Sequence, residues 1–200
     1  MAMHETDRTR ATLRDEREAG SVRRLHVGCG PVTPPGWINV DVVDRPGVDI
    51  CRDILDGLPL ADESVDYISS QHVLQELELY DQERALRELR RVLKPDGVLR
   101  LCLPDFELAI AAYRRGDREY FGVWSWDTID GDFVEWMLWL RSYTRTLFTY
   151  ALAEELARKA GFSEVRRVAF RRTSSRFPAI VELDGRENES CYLEASKGAS

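Results

Sequence analysis

The residues of this chain that could do chemistry each lie just past a short apolar run. Gly28-Cys29-Gly30 follows Leu25-His26-Val27, Asp41 closes Trp37-Ile38-Asn39-Val40, and Asp53 comes after Val48-Asp49-Ile50-Cys51. His72 follows Val65–Ser69, and Asp105 follows Val98–Leu103. Two glycines after a strand let backbone N–H groups approach a ligand. The dinucleotide fingerprint G-x-G-x-x-G is incomplete, because Thr33 stands where its third glycine would be and Pro31, Pro34 and Pro35 crowd the segment. A pyrophosphate, which wants a clean helix N-terminus, is therefore disfavoured over a ligand without phosphate. A strand-end carboxylate such as Asp41 can accept hydrogen bonds from both hydroxyls of a ribose. Being a strand-end group, it should be removable with little unfolding. Asp53 can accept an exocyclic adenine amine while the backbone of Ile54 meets the ring. His72 and Asp105 are the candidate proton acceptors, and an imidazole with its ordinary pKa near 6.5 suits proton removal at neutral pH. The competing reading makes His72 a packed or capping residue and Asp105 a helix N-cap.

Positioning these residues requires strands that end on one edge. The apolar runs are short and separated by turn residues, as buried parallel strands are. They continue with late strands near Glu164–Phe170 and Ser190–Ala195. Between the fourth and fifth runs, Asp81 to Leu93 places Ala85, Leu86, Leu89, Val92 and Leu93 at helical spacing. Lys94-Pro95-Asp96-Gly97 stops that helix, with Gly97 expected at positive φ. A second helix is expected from about Tyr150 to Ala160, capped by Thr149 and ended by Gly161. Alternating strands and helices imply a doubly wound α/β domain with helices on both faces of the sheet. That domain spans residues 21–200, and residues 1–20 form a charged helix or tail.

Residues 113–146 interrupt the alternation. They hold Trp124, Trp126, Trp136 and Trp139 with Tyr113, Tyr120, Phe121, Phe133 and Tyr143, between the fifth strand and the later helix. Most of these aromatics should pack the insertion onto the body. An insertion beside the carboxyl edge of an open sheet is also where a lid or substrate pocket belongs.

The composition narrows the class. Hydrophobic residues make up 44% and charged residues 32%, as in an ordinary globular domain. No apolar run spans a bilayer, and the first twenty residues lack the apolar centre of a signal peptide, so a cytoplasmic protein without a membrane partner is expected. A net charge of −7 argues against wrapping a nucleic acid. The local exception is Arg166, Arg167, Arg171, Arg172 and Arg176, read as a solvated face or an attractor for an anionic substrate, with Arg186 nearby. Cys29, Cys51, Cys102 and Cys191, with His4, His26 and His72, show no ligand spacing, so reduced thiols and no metal site are expected. The expected partner is a small-molecule substrate, and the expected state a monomer or homodimer.

The tracts LHVGCG, WINVD, CRDILDGLPLADESVDYISSQHVLQEL and ALRELRRVLKPDGVLRLCLPD together resemble the class I S-adenosylmethionine-dependent methyltransferases. More narrowly they are similar to a small, type 11-like group with the pattern LNxGCGxxPLPGWINID…LPFPDxSVDxIYSEHxLEHL…RRVLKPGGxLRIxVPD. The likeness covers about residues 24–108, and resumes in LFTYALAEELARKAGF and SCYLEASK. It implies a seven-stranded Rossmann-like sheet of order 3-2-1-4-5-7-6 with the last strand antiparallel. It implies S-adenosylmethionine as cofactor, with Gly28, Cys29 and Gly30 against its methionine part and Asp41 on its ribose. Asp53 and Ile54 would meet its adenine, and Ser70 would form a wall. Four positions depart from the pattern: His26 replaces the usual aspartate or asparagine, Asp96 a glycine, and Gln75-Glu76 a Glu-His pair. The implied reaction moves a methyl group to an oxygen or nitrogen of a small polar molecule, such as a sugar or secondary metabolite. The alternatives are a non-catalytic module serving as a partner subunit, and a nicotinamide oxidoreductase that the missing third glycine disfavours.

Overall fold

A computed structural model describes residues 22–122, 126–138 and 144–198. The expectations for residues 1–20, Trp124, Trp139 and Tyr143 fall outside them.

The seven strands are β1 (Arg24–Val27), β2 (Ile38–Asp41), β3 (Ile50–Cys51), β4 (Val65–Gln71), β5 (Leu93–Pro104), β6 (Glu164–Val168) and β7 (Ser190–Ser196). They form one sheet of order β3-β2-β1-β4-β5-β7-β6. Pairs within β3-β2-β1-β4-β5 are parallel, and β7 runs antiparallel to both β5 and β6. This is the expected order. All of β1 to β5 therefore end on one edge, and β7 starts there, with Ser190 opposite Pro104.

The turn expected at Lys94–Gly97 is instead an irregularity inside β5. Val65 pairs with Leu93 and Tyr67 next pairs with Val98, so the four residues between are looped out of register. Gly97 is not at positive φ. A Cβ there would lie 2.8 Å from the Asp66 carbonyl oxygen and from Leu93, so the glycine is required by close approach. Lys94 crosses the gap, its Nζ 2.9 Å from both Asp66 carboxylate oxygens.

Four helices are described: α1 (Gln82–Val92), α2 (Phe106–Arg115), α3 (Ile129–Met137) and α4 (Tyr150–Lys159). Ala85, Leu86, Leu89 and Val92 of α1 are buried as their spacing requires, while Glu83 and Arg87 pair on the outer face at 2.6 Å. Thr149 caps α4 by accepting from the Leu152 N–H at 3.2 Å, and Gly161 follows its end at φ 98°. Helices α1 and α4 pack together over one face, onto Leu25, Val27, Val40, Ile68, Leu99 and Leu101. Each such aliphatic side chain contributes about 1.5–3 kcal/mol on full burial.

The opposite face departs from the expected layer of helices. Among the described residues it is covered by Trp37, Tyr67, Phe177 and Ile180, with a short 3-10 turn at Pro178–Val181. Buried Arg100 on β5 pins this segment. Its Nε and Nη2 donate to Asp184 at 2.7 and 2.5 Å, and Nη1 donates to Glu194 at 2.8 Å. The carbonyls of Ala169 and Arg172 take its remaining N–H groups at 3.1 and 3.0 Å. A fully satisfied guanidinium thus does the work that helix packing does on the other side.

The insertion builds its own small core. Ala109, Ala112, Phe121 and Trp136 are buried, with Phe106, Tyr120, Ile129, Phe133 and Met137 against them. Arg118, three residues past α2, is tied to the buried Asp132 of α3 at 2.6 Å. No described helix is long and apolar enough to cross a membrane.

Candidate active site

The carboxyl ends of β1 and β2 meet at the glycine loop. Gly28 and Gly30 have φ of 66° and 53°, a region that favours glycine. Gly28 has no room for a side chain, since a Cβ would sit 2.1 Å from a Val73 methyl. A Cβ on Gly30 would meet nothing within 4 Å. The N–H groups expected to face a ligand turn to β2 instead. Those of Gly28 and Cys29 donate to the Val40 carbonyl at 2.8 and 3.0 Å, and that of Gly30 donates to Asp41 at 2.7 Å. The loop therefore offers open space above Gly30 rather than a row of donors.

Asp41 is almost buried, with 9% of its surface exposed. Its Oδ2 accepts from Gly30, and its Oδ1 accepts from the Val43 N–H at 2.9 Å and from Arg45 Nη1 at 3.3 Å. The expectation that this carboxylate is dispensable for folding is corrected: it fastens the glycine loop to the end of β2. Val42, beside it, is 63% exposed. Asp53 accepts from the Leu55 N–H at 2.9 Å and so caps the 3-10 turn Ile54–Asp56, whose Ile54 side chain enters the main core. Ser70 lies opposite Val27, immediately before Gly28, and its buried hydroxyl has no hydrogen-bond partner.

His72 sits past β4 in a left-handed conformation, φ 51°, uncommon for residues other than glycine although histidine, like asparagine and aspartate, is enriched there. Its N–H donates to Cys102 and its carbonyl accepts from Gln75 Nε2 at 2.6 Å. Its Nε2 is 2.7 Å from the hydroxyl of Ser190. Burial, reinforced by the positive charge of Arg186, lowers the imidazole to about 3. The neutral-range value used for the sequence argument does not hold in this environment.

Asp105 is fully buried and does cap α2, accepting from the Glu107 N–H at 3.0 Å. Its other oxygen is 3.3 Å from Arg167, and its own N–H donates to Glu189 at 2.9 Å. Burial raises its carboxyl above the usual range, against the bond from Glu107 and the Arg167 charge. His72 and Asp105 therefore face the same β7 start, through Ser190 and Glu189 respectively.

Of the arginine cluster, Arg167 reaches this edge, at Asp105. Arg166 pairs with Glu164, Arg176 pairs with Asp96, and Arg171 lies over Phe170. Burial pushes the thiols of Cys29 and Cys191 up to about 11 and about 12, which keeps them protonated at neutral pH and unsuited to nucleophilic attack. No group of three metal-ligating side chains occurs among the described residues.

Sequence reasoning missed Val73, Ser190 and Glu189. The signal for the last two was present: an antiparallel final strand must begin at the edge where β5 ends. Val73 carried no signal, because its contact with Gly28 joins two loops through the positive φ of both Gly28 and His72.

Residues 25–101 match the family described as "Methyltransferase domain". No curated protein matches the chain. Among solved structures, the chain is similar to an S-adenosylmethionine-dependent methyltransferase of Thermotoga maritima described as a possible histamine N-methyltransferase. The two are 21% identical with a TM-score of 0.55, over 97% of this chain and 90% of that one. A comparable likeness joins it to an S-adenosylmethionine-dependent methyltransferase of Archaeoglobus fulgidus, at 13% identity and TM-score 0.54, over 94% and 92%.

Proposed function

We propose that this chain, which has the class I S-adenosylmethionine-dependent methyltransferase fold and a methyltransferase domain over residues 25–101, methylates an oxygen or nitrogen of a small polar molecule. The observation that carries the reading is the convergence of open Gly30, Asp41, Asp53 and Ser70 on one sheet edge, beside His72 and Asp105.

The residues present fit the nucleoside. The space above Gly30 that a Cβ would enter is clear, and the buried Ser70 hydroxyl, opposite Val27 at the end of β1, has no hydrogen-bond partner. Gly28, Cys29 and Gly30 would border the methionine part, and Asp41 would hold the ribose. Asp53 and Ile54 would meet the adenine, whose ring needs apolar cover of the kind exposed Val42 provides. The bound cofactor supplies a methyl carbon already activated by the sulfonium charge.

The chain's own part is alignment and proton handling. In-line displacement needs the acceptor atom held about 3–3.5 Å from its target, in a site closed to bulk water. His72 stays uncharged at neutral pH, so it can accept a hydrogen bond from an acceptor molecule, but an imidazole lowered to about 3 is a weak base. Asp105, raised by burial, is the stronger proton acceptor of the two. His72 is accordingly assigned to orienting the acceptor, and Asp105 to taking the proton.

Calorimetry with S-adenosylhomocysteine and with NAD tests the proposal. Binding of S-adenosylhomocysteine without NAD is expected, and binding of NAD alone would refute it.

A further inference from the structure

The hydroxyl that His72 meets belongs to a longer chain of hydrogen bonds. Cys102 stands opposite Tyr192, and Pro104 opposite Ser190, so Cys102, Tyr192 and Ser190 share one face of the paired strands β5 and β7. None of these three, nor His72, is more than 9% exposed. His72 Nε2 is 2.7 Å from Ser190 Oγ, and the Cys102 thiol is hydrogen-bonded to the side chains of Ser190 and Tyr192. The Tyr192 hydroxyl donates to the Gly185 carbonyl, and Cys102 Sγ lies 3.9 Å from the same oxygen. The imidazole is thus linked through three side chains to one backbone carbonyl.

A carbonyl carries no hydrogen, so it sets the direction of the bonds that lead to it. Tyr192 gives its O–H to Gly185. Burial raises the Cys102 thiol and keeps its hydrogen in place, and that hydrogen serves the contact with Gly185 or Tyr192. The sulfur is left to accept, so Ser190 turns its O–H toward it. The Ser190 oxygen then accepts in turn, which calls for a hydrogen on His72 Nε2. Every contact in the chain holds one hydrogen in this order. In the reverse order Cys102 would donate to Ser190 and Ser190 to Nε2, and the contact of Cys102 with Gly185 and Tyr192 would hold none. A buried contact without its hydrogen is the costlier arrangement.

We infer that Ser190 and Cys102 are positioning residues that fix His72 as the Nε2–H tautomer, so that Nδ1 carries the lone pair and is the atom that meets the methyl acceptor. The role of Nδ1 rests on the methyltransferase reading; the tautomer does not. Burial leaves the ring uncharged at neutral pH, with a single hydrogen to place. With that hydrogen committed to Ser190, Nδ1 can accept and cannot donate. A molecule oriented by His72 must therefore present an O–H or N–H. Hydroxyls and primary or secondary amines meet this condition, whereas a thioether or a ring nitrogen without hydrogen does not.

The test reads the whole chain, labelled with ¹⁵N-histidine, at neutral pH by long-range proton–nitrogen correlation, which separates the protonated ring nitrogen from the bare one. Loss of signals in His72→Asn identifies those of His72. The wild type should hold its hydrogen on Nε2 in roughly tenfold excess or more. Cys102→Ala takes away the acceptor of the Ser190 O–H, which then turns to Nε2, and the hydrogen should move to Nδ1. Cys102→Ser supplies both a donor and an acceptor again and should return it to Nε2. Ser190→Ala should lose the tenfold excess. Hydrogen on Nδ1 in the wild type, or an unchanged distribution in Cys102→Ala, overturns the inference; a thiol that only fills space would change the melting temperature and leave the ring nitrogens as they were. If Cys102→Ala does not fold, Ser190→Ala decides, with a retained tenfold excess as the contrary result. Calorimetry with S-adenosylhomocysteine runs in parallel: a wild type that binds none removes the methyltransferase reading and the role of Nδ1 with it, while the tautomer stands or falls on the spectra.

Discussion

Mild acid should destabilise this protein through two buried histidines, by an amount the structure sets. Burial lowers His26 to about 4 and His72 to about 3, from an ordinary 6.5. Each therefore binds its proton more readily when unfolded, and stability is lost as pH falls below 6.5 toward those folded values. At pH 5.5 the unfolded state gains about 1.4 kcal/mol per histidine, roughly 3 kcal/mol for the pair. For a chain of this size that is a drop of roughly 5–10 °C in melting temperature between pH 7.5 and 5.5. Raised Asp105 works in the opposite sense, since a carboxyl that protonates more easily when folded adds stability in acid. Calorimetric scans across this range measure the slope. His72→Asn suits the comparison because asparagine tolerates the left-handed backbone at that position, and about half of the slope should vanish with it. A melting temperature flat from pH 7.5 to 5.5, or an undiminished slope in His72→Asn, would refute the argument that burial governs these imidazoles.

Asp41→Ala should abolish S-adenosylhomocysteine binding by calorimetry and also lower stability by about 2–4 kcal/mol in urea melts, since the Gly30 and Val43 N–H groups lose their acceptor; full stability in the variant would contradict the fastening role. The two loop glycines should separate: Gly28→Ala collides with Val73 and should express poorly or melt early, whereas Gly30→Ala meets open space, costs about 1 kcal/mol for its positive φ, and weakens nucleoside binding. Equal effects of the two on melting would remove the distinction. Asp184→Ala takes one of the two carboxylates from buried Arg100, leaving it Glu194 alone and two N–H groups without their acceptor, and should cost about 3–5 kcal/mol, with urea unfolding as the readout and a cost below 1 kcal/mol as the contrary result.

Strand sites and the α1 and α4 helices were legible because each rests on a local pattern, whereas the sheet order was implied only by the resemblance to the class I methyltransferases. Short apolar runs ended by turn residues mark buried strands, and the spacing of Ala85, Leu86, Leu89 and Val92 marks a helix stripe. The covering of the second face was not legible, because it depends on Arg100. An arginine in the middle of Val98–Leu103 reads as an exposed alternation, and nothing local says that Asp184, Glu194 and two carbonyls will close over it. Gly97 shows the same limit on a smaller scale. The residue type was informative, yet its cause was a neighbouring strand rather than the turn itself.

The candidate site divides along the same line. Gly28, Gly30, Asp41 and Asp53 were visible as positions, because strand ends are local features. Their partners were not, because each bond crosses between strands. Asp41 illustrates the consequence. Its carboxylate organises the loop through Gly30 and, on the proposed reading, would also receive a ribose, so that one residue would set both the shape of the pocket and the affinity within it. A site built this way resists drift, since any exchange at Asp41 alters fold and binding together. On the proposed reading His72 would have the same double character at the acceptor end, with its left-handed backbone held through Cys102 and Gln75 while its ring meets Ser190. Orientation is what such placement would achieve on the proposed reading, and burial has removed most of the basicity of this imidazole.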